Sequence, residues 1–355
     1  MSDSAPPPSG LACPAPAGRP AEIQLAHGGG GRLTQDLIDR VFAPAFRNSH
    51  LDTRHDAAVL ATLPPGVRLA FSTDGHVVSP LFFPGGDLGR LAVTGTLNDL
   101  AMSGARPRWL GAAFILEEGL PLATLERLVR SMGETAHAAG AAIVAGDTKV
   151  VERGKGDGIY ISTSGVGWIE HDHLIAPAAV RPGDVVLLSG DIGRHGMAIL
   201  AQREGLAFES TLTSDCAPLW PAVEALLEAQ LELHCLRDLT RGGLATAVIE
   251  IAETAGLTVT LDEAAVPVSA PVRAACELLG IDPLYVANEG RFVIFAPAAQ
   301  ADAILAALTA TAPGGPPARI GHVTAGRPGE VSLRTAYGIE RVLDRLSGEQ
   351  LPRIC

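Results

Sequence analysis

The sequence predicts a protein of two α/β domains, and three observations carry that reading. The chain has 355 residues, of which 47% are hydrophobic, enough for two cores at roughly 150 residues per domain. Short apolar runs of strand length alternate with longer runs of helical period along the whole chain. A turn at Arg181-Pro182-Gly183-Asp184 then opens a second series of the same kind. The expected organisation is a disordered Pro/Ala-rich leader over 1–20, a first domain over 21–172, a second over 173–343 and a mobile tail over 344–355. No internal sequence repeat relates the two halves.

The leader holds too little apolar surface to offset the entropy of ordering it. Order is expected from Ile23. Gly28, Gly29, Gly30 and Gly31 follow, ahead of a helical pattern through Leu33, Leu37, Ile38, Val41 and Phe42. A glycine run before a helix suits either a close approach to an anion or a hinge. His55-Asp56 turns into an expected strand at Ala57–Leu60, and Leu69–Gly75 reads as a strand that carries Asp74 near its end. Leu88–Met102 reads as a helix with Asn98-Asp99 near its C-terminus, where a carboxylate opposes the helix dipole unless a cation is present. Leu110–Leu116 is a short buried run. Leu122–Ala139 is amphipathic through Leu125, Leu128, Val129, Met132 and Ala136, and Gly140 ends it. A short strand at Ala141–Ala145 then runs into Gly146-Asp147-Thr148-Lys149, and Ile159–Gly165 is the next strand.

In the second half Val185–Leu188 is a buried strand. Gly190, Gly193 and Gly196 mark a strand-to-helix turn that superficially resembles a phosphate loop. Helices are expected around Val223–Leu227, Leu244–Ala255, Val272–Leu279 and Ile304–Leu308, with strands at Arg291–Phe295 and Ile320–Val323. Asp238 and Thr240 lie in Arg237-Asp238-Leu239-Thr240-Arg241-Gly242-Gly243, which leads into the helix Leu244–Ala255, and Glu289 sits in Asn288-Glu289-Gly290 before a strand.

The formal net charge of -12 argues against nucleic acid or an anionic membrane as partner. No apolar run approaches the ~18 residues of a membrane span, and no secretory signal opens the chain. The five cysteines, Cys13, Cys216, Cys235, Cys276 and Cys355, are odd in number and lack C-x-x-C spacing, as expected of a reduced, cytoplasmic protein. Phosphate-loop, G-x-S-x-G and H-E-x-x-H motifs are all absent. His171-Asp172-His173 is either a loop or a metal-binding pair. Acids Asp56, Asp74, Asp99, Asp147 and Asp238 each end an element beside small residues. Brought together they would suit magnesium and a polyphosphate; apart they are ordinary surface carboxylates. The last residue is a cysteine, which unites a thiol and the terminal carboxylate on one short arm behind Pro352.

In order along the chain stand His27-Gly28-Gly29-Gly30-Gly31, Phe71-Ser72-Thr73-Asp74, Pro80-Leu81-Phe82-Phe83-Pro84-Gly85-Gly86, Asn98-Asp99, Phe114-Ile115-Leu116-Glu117-Glu118-Gly119 and Gly146-Asp147-Thr148-Lys149-Val150. Arg237-Asp238-Leu239-Thr240-Arg241-Gly242-Gly243, Asn288-Glu289-Gly290 and the terminal Pro352-Arg353-Ile354-Cys355 complete the set. Together they resemble the HypE family of hydrogenase-maturation carbamoyl dehydratases, within the superfamily of aminoimidazole ribonucleotide synthetase and selenophosphate synthetase. The resemblance covers nearly all of 23–355.

That resemblance implies a two-domain PurM-like fold, dimeric through the sheet of its N-terminal domain, with ATP near the subunit interface and a tail able to swing in. A partner carbamoyltransferase would load Cys355. ATP would then drive dehydration of the S-carbamoyl group to a thiocyanate, and its cyanide would pass to iron on the scaffold complex that matures NiFe-hydrogenases. By resemblance Asp56, Asp74, Asp99 and Asp238 bind Mg2+ and phosphate. Asp147, Thr148, Asn98, Thr240 and Gly28 to Gly31 serve the nucleotide, Lys149 contacts phosphate or the carbamoyl oxygen, and Glu289 is a general base whose pKa burial must raise. Two positions depart from the pattern: His55 stands where relatives often have an acid, and His76 where another side chain is common. Two other readings are a sister ATP-using enzyme, of selenophosphate synthetase or thiamine-phosphate kinase type, and a non-enzymatic carrier that displays Cys355.

Overall fold

The computed structural model describes residues 20–205, 212–311, 314–346 and 354. Leader residues 1–19 with Cys13, tail residues 347–353 and Cys355 lie outside the described residues.

The first domain starts with a single 3-10 turn at Leu25–Gly28, then the short helix α1 (Arg32–Leu37), a π-turn over Ile38–Phe42, and two short helical turns, α2 (Ala43–Ala45) and α3 (Ser49–Asp52). Its sheet is built from β1 (Arg68–His76), β4 (Arg106–Glu117), β5 (Ala142–Val151) and β6 (Ile159–Ile169), in the order β1-β6-β4-β5. A small hairpin, β2 (Phe82–Phe83) and β3 (Gly86–Asp87), stands apart. Only β4 and β5 run parallel, joined by the crossover helix α5 (Leu122–Ala138). Leu125, Leu128, Val129 and Met132 of α5 are fully buried, and each such side chain contributes about 1.5–3 kcal/mol by leaving water.

Helix α4 (Leu88–Met102) matches its sequence reading residue for residue. Asp87 caps it by accepting the Arg90 N–H at 2.9 Å. It is buried on nearly every side, because the first sheet lies along one flank, α5 along another, and the second domain against its C-terminal end.

The second domain holds a seven-stranded sheet in the order β13-β12-β9-β11-β7-β10-β8. Its strands are β7 (Asp184–Leu188), β8 (Cys235–Asp238), β9 (Thr258–Asp262), β10 (Phe292–Pro297), β11 (Ala318–Thr324), β12 (Val331–Arg334) and β13 (Glu340–Val342). Alternation along central β7 builds two cores. Val185 and Leu187 face α7 (Trp220–Glu228) and α10 (Ala301–Thr311), while Val186 and Leu188 face α8 (Gly243–Ala255). Helices α6 (Arg194–Arg203) and α9 (Ala270–Leu279) pack on each other at one end. Among the described residues no helix is long and apolar enough to cross a membrane.

Two strand expectations need correction. Ala57–Leu60 is not a strand; it belongs to an irregular, exposed stretch in which Val59 is 87% exposed. The strand expected to stop at Ala145 runs on to Val151, because Gly146–Val151 pairs in parallel register with Ala112–Glu117. Its polar residues made the second half look like a loop.

Gly89 marks the closest approach of α4 and α5, where a Cβ would collide with the carbonyl oxygen of Leu128. Gly89→Ala should therefore destabilise the protein by about 1–3 kcal/mol. Urea unfolding checks this, and a wild-type midpoint would show that the two helices can part at no cost.

Candidate active site

Alternation along β1 directs Ser72, Asp74 and His76 toward α4. Ser72 Oγ donates to Asp99 Oδ2 at 2.6 Å. Asp74 accepts the Gly75 N–H at 2.8 Å and has His76 Nε2 and Arg241 Nη2 each 3.8 Å away. The second domain supplies Asp238 at the end of β8 and Glu289 at the turn into β10, both buried. Two sequence-predicted ligands of the first domain and two acids of the second thus share one interdomain wall.

The electrostatics follow from that crowding. Burial, and next the Asp99 charge, pushes the Asp238 carboxyl up to about 7. Burial also raises Asp99, although its Ser72 hydrogen bond opposes this. Glu289 is raised well above the usual carboxylate range, first by burial and then by Asp238 and Asp215. Its buried Oε1 has no hydrogen-bond partner among the described residues. A carboxyl so placed holds its proton more tightly than an exposed one and gives it up more readily when a cation or a basic atom arrives.

The backbone under Glu289 is held by Asp215, which sequence reading passed over. Its carboxylate accepts the N–H groups of Gly290 at 3.0 Å and Glu289 at 3.4 Å. Gly290 permits this approach, since a Cβ there would strike the Asp215 carbonyl. Arg291 sits behind, donating to Asp191 Oδ1 at 3.0 Å and to the Gly290 carbonyl at 2.6 Å. Beside them Cys216 is buried and 3.1 Å from Thr94 Oγ1, and burial together with the Glu289 charge pushes its thiol up to about 12. Only proximity in space could have disclosed Asp215, Cys216 and Ser214, which lie together in one loop without a motif.

Other predicted residues fall elsewhere. The amide of Asn98 is spent on backbone: Nδ2 donates to the carbonyls of Ala217 and Glu289, and Oδ1 accepts the Leu219 N–H at 2.8 Å. These bonds staple α4 to the second domain and leave Oδ1 one further acceptor site. Asp147 and Lys149 stand opposite Ala113 and Ile115 in the β4–β5 register, on the open face of the sheet, while Asp74 faces α4. Within one chain the sheet therefore separates them from Asp74. Lys149 Nζ meets Asp147 at 2.7 and 2.8 Å, and this contact holds the Asp147 carboxyl below its ordinary range. Asp56 does not join the interdomain acids either. It lines a cavity of about 410 Å³ with Thr34, Phe42, Phe114, Asp147 and Thr148. Gly28 packs against the backbone of Val150 at the end of β5, and the Gly30 N–H donates to Thr34 Oγ1 at 2.9 Å, so the glycine run borders the same region. Thr240 occupies the turn from β8 to α8, where its carbonyl accepts the Gly243 N–H. The turn glycine Gly193 donates to Asn288 Oδ1 at 2.7 Å, which confirms a strand-to-helix turn there. His171 bonds the Gly104 carbonyl and lies in a loop.

No group of three or more His, Cys, Asp or Glu is arranged to hold a metal among the described residues. The donor chemistry of the interdomain wall nonetheless fits a hard divalent cation. Its four acids are oxygen donors and one buried carboxyl oxygen is unpartnered, and magnesium needs only one or two carboxylates when phosphates complete its shell.

A two-domain α/β chain with acids converging between its halves is an AIR synthase related protein. The chain matches the family models "AIR synthase related protein, N-terminal domain" over residues 54–169 and "AIR synthase related protein, C-terminal domain" over residues 181–334. Within that class it belongs to the HypE carbamoyl dehydratase family. It is 52% identical to the carbamoyl dehydratase HypE of Azotobacter vinelandii, over 95% of this chain and 98% of that one. A crystal structure of hydrogenase maturation protein HypE in complex with ATP is 49% identical, with a TM-score of 0.89 over 93% of this chain and 99% of that one. HypE in a solved HypE–HypF complex is 43% identical, with a TM-score of 0.76 over 87% of this chain and 99% of that one.

The Glu289 carboxyl gives a measurable pH effect. Its folded-state pKa lies above its unfolded value, so the native state binds the proton more tightly. The stability this provides is full below the ordinary carboxylate range and is lost as pH rises through the raised value. Glu289→Gln keeps the shape without the charge. In magnesium-free buffer it should flatten the fall of melting temperature as pH rises above the ordinary carboxylate range. An unchanged slope would show that Glu289 does not hold its proton in the folded protein.

Proposed function

We propose that this protein dehydrates an S-carbamoyl group on its C-terminal Cys355 to a thiocyanate with ATP, and so supplies the cyanide ligand for the iron of NiFe-hydrogenases. The observation that carries the reading is the burial of Ile354, the residue before that cysteine. It is 3% exposed, and its carbonyl is bonded to His195, which Ser214 joins to the loop whose Asp215 holds the Glu289 backbone.

The carbamoyl oxygen is a poor leaving group. Its attack on the γ-phosphorus of ATP forms a new P–O bond, releases ADP and lets one nitrogen proton depart. Loss of the second nitrogen proton then forms C≡N as phosphate leaves. Glu289 suits the proton acceptor, since a raised carboxyl pKa brings it nearer the operating pH. Magnesium, when bound, would neutralise the phosphates, and Asp74, Asp99 and Asp238 are the residues that would hold it. Asp56, Asp147, Thr148, Lys149, Thr240 and the glycines from Gly28 to Gly31 remain candidates for nucleotide contacts.

A homodimer is supported by the open face of the first sheet. There Leu69, Phe71 and Ile115 are 54%, 69% and 44% exposed beside Asp147 and Lys149. Covering that apolar face with a second copy would seat ATP near the subunit interface. Loading by a partner carbamoyltransferase is in keeping with the solved complex of a relative with HypF. Transfer of cyanide to an iron-binding scaffold completes the reading. The free, buried thiols Cys216, Cys235 and Cys276 are in keeping with a cytoplasmic protein.

The test is the intact mass of the C-terminal peptide after incubation with carbamoyltransferase, carbamoyl phosphate and Mg-ATP. Wild type should gain a carbamoyl group on Cys355 and then lose one water only when ATP is present. Cys355→Ala should bind ATP and show neither change. Glu289→Gln should accumulate the carbamoylated form, with conversion slowed by about 10²-fold or more. A wild-type peptide that is loaded but never dehydrated would favour a carrier over an enzyme. Asp74→Asn should weaken magnesium-dependent ATP use, and unchanged turnover would remove Asp74 from the site.

A further inference from the structure

The end of the chain meets the second domain at a built contact. His195 lies in the first turn of α6 and is fully buried. That turn is stitched to the segment before Glu289: the Gly193 N–H donates to Asn288 Oδ1 at 2.7 Å and the Gly196 N–H to the Ala287 carbonyl at 3.1 Å. His195 and Glu289 therefore share one rigid frame. Phe83 closes edge-on against the imidazole, with ring centroids 5.5 Å apart.

The hydrogen bonds fix which nitrogen of His195 carries the proton. Ser214 Oγ accepts the Cys216 N–H at 3.0 Å, which leaves its own O–H to donate to His195 Nδ1 at 2.8 Å. The Ile354 carbonyl, 2.8 Å from Nε2, can only accept. The arrangement is complete with a neutral imidazole protonated on Nε2, and burial favours that uncharged form, against the opposing influence of Asp215 and the Ile354 carbonyl. A polar relay thus runs from the Cys216 amide through Ser214 and His195 to the peptide group that joins Ile354 to Cys355. Ile354 itself is buried in the same apolar cluster as Ile199, Cys216 and Ala287.

We propose that His195, with Ser214 setting its tautomer, is a positioning residue that latches the carbonyl preceding the acceptor cysteine and holds the carbamoylated chain end in register with Glu289. The chemical half of this inference rests on the dehydratase reading; the latch does not. A loaded cysteine on an unlatched arm would sample the site only part of the time. Losing a buried hydrogen bond whose partner is then left unpaired lowers the docked fraction by about ten- to a hundredfold.

The test uses the full chain. Hydrogen–deuterium exchange of the C-terminal peptide reads the latch, and single-turnover conversion of the carbamoylated protein with Mg-ATP reads the chemistry. His195→Ala should speed exchange at the C-terminal peptide and slow conversion about ten- to a hundredfold, while loading by the carbamoyltransferase and ATP affinity stay at wild-type values. His195→Gln, whose side-chain amide can still donate, should recover part of both. A His195→Ala protein that exchanges and converts like wild type overturns the proposal. Should that variant fail to fold, Ser214→Ala decides: slower conversion with faster exchange supports the latch, and wild-type behaviour overturns it. Faster exchange in the variants, with no dehydration even by wild type, would uphold the latch and defeat the dehydratase reading.

Discussion

Like charges crowded on a dry wall are the constraint around which this structure is arranged. Asp74 and Asp99 come from β1 and α4, Asp238 and Glu289 from β8 and the turn into β10. Carboxylates are costly in a low-dielectric site, and burial first, then the neighbouring acids, raise Asp99, Asp238 and Glu289. Something must hold them there against that cost. Asn98 does so from the first domain, with its whole amide spent on the backbone of Ala217, Leu219 and Glu289. Asp215 does so from the second, through the Glu289 and Gly290 amides. A protein that needed only stability would have no reason to keep such a wall.

The first sheet divides the labour. Its inner face gives Asp74 to the wall, and its outer face gives Lys149 and Asp147 to the open side. A single chain cannot bring both sets to one nucleotide, because alternation along a strand fixes each side chain to its face. The outer face is also the one that exposes Phe71 and Leu69. The proposed second copy, laid on that face, would cover those apolar side chains and lie beside Asp147 and Lys149.

How far the sequence disclosed this varies with the range of the interaction. Helices α4, α5, α8 and α9 were legible because their apolar period and their Asp, Pro or Gly ends are local signals. The acids Asp74, Asp99 and Asp238 were legible as polar ends of apolar elements. Strand β5 was cut short because a strand with one exposed face reads as a loop when its outward residues are Asp and Lys. The tie that Asn98 makes to the second domain was not legible, because its partners Ala217, Leu219 and Glu289 lie far away in sequence. His195, Ser214 and Asp215 carry no motif at all. Their meaning lies in contacts spanning many residues, from α6 to the chain end and from one loop to Glu289.

Selectivity among the thiols follows from the same dry surroundings. Cys216 lies beside the acid wall, where a second nucleophile would compete for a carbamoyl group. Burial and the nearby Glu289 charge push it up to about 12, so at neutral pH it stays an inert thiol bonded to Thr94. Cys235, also pushed up to about 12, is sealed beneath the second sheet. The environment that raises the Glu289 carboxyl toward a useful pKa thereby silences the neighbouring thiol. Exclusion of water from that wall would also protect an O-phosphorylated carbamoyl group from hydrolysis before phosphate leaves. One physical cause, burial among like charges, therefore accounts for both a carboxyl with a raised pKa and a silent thiol.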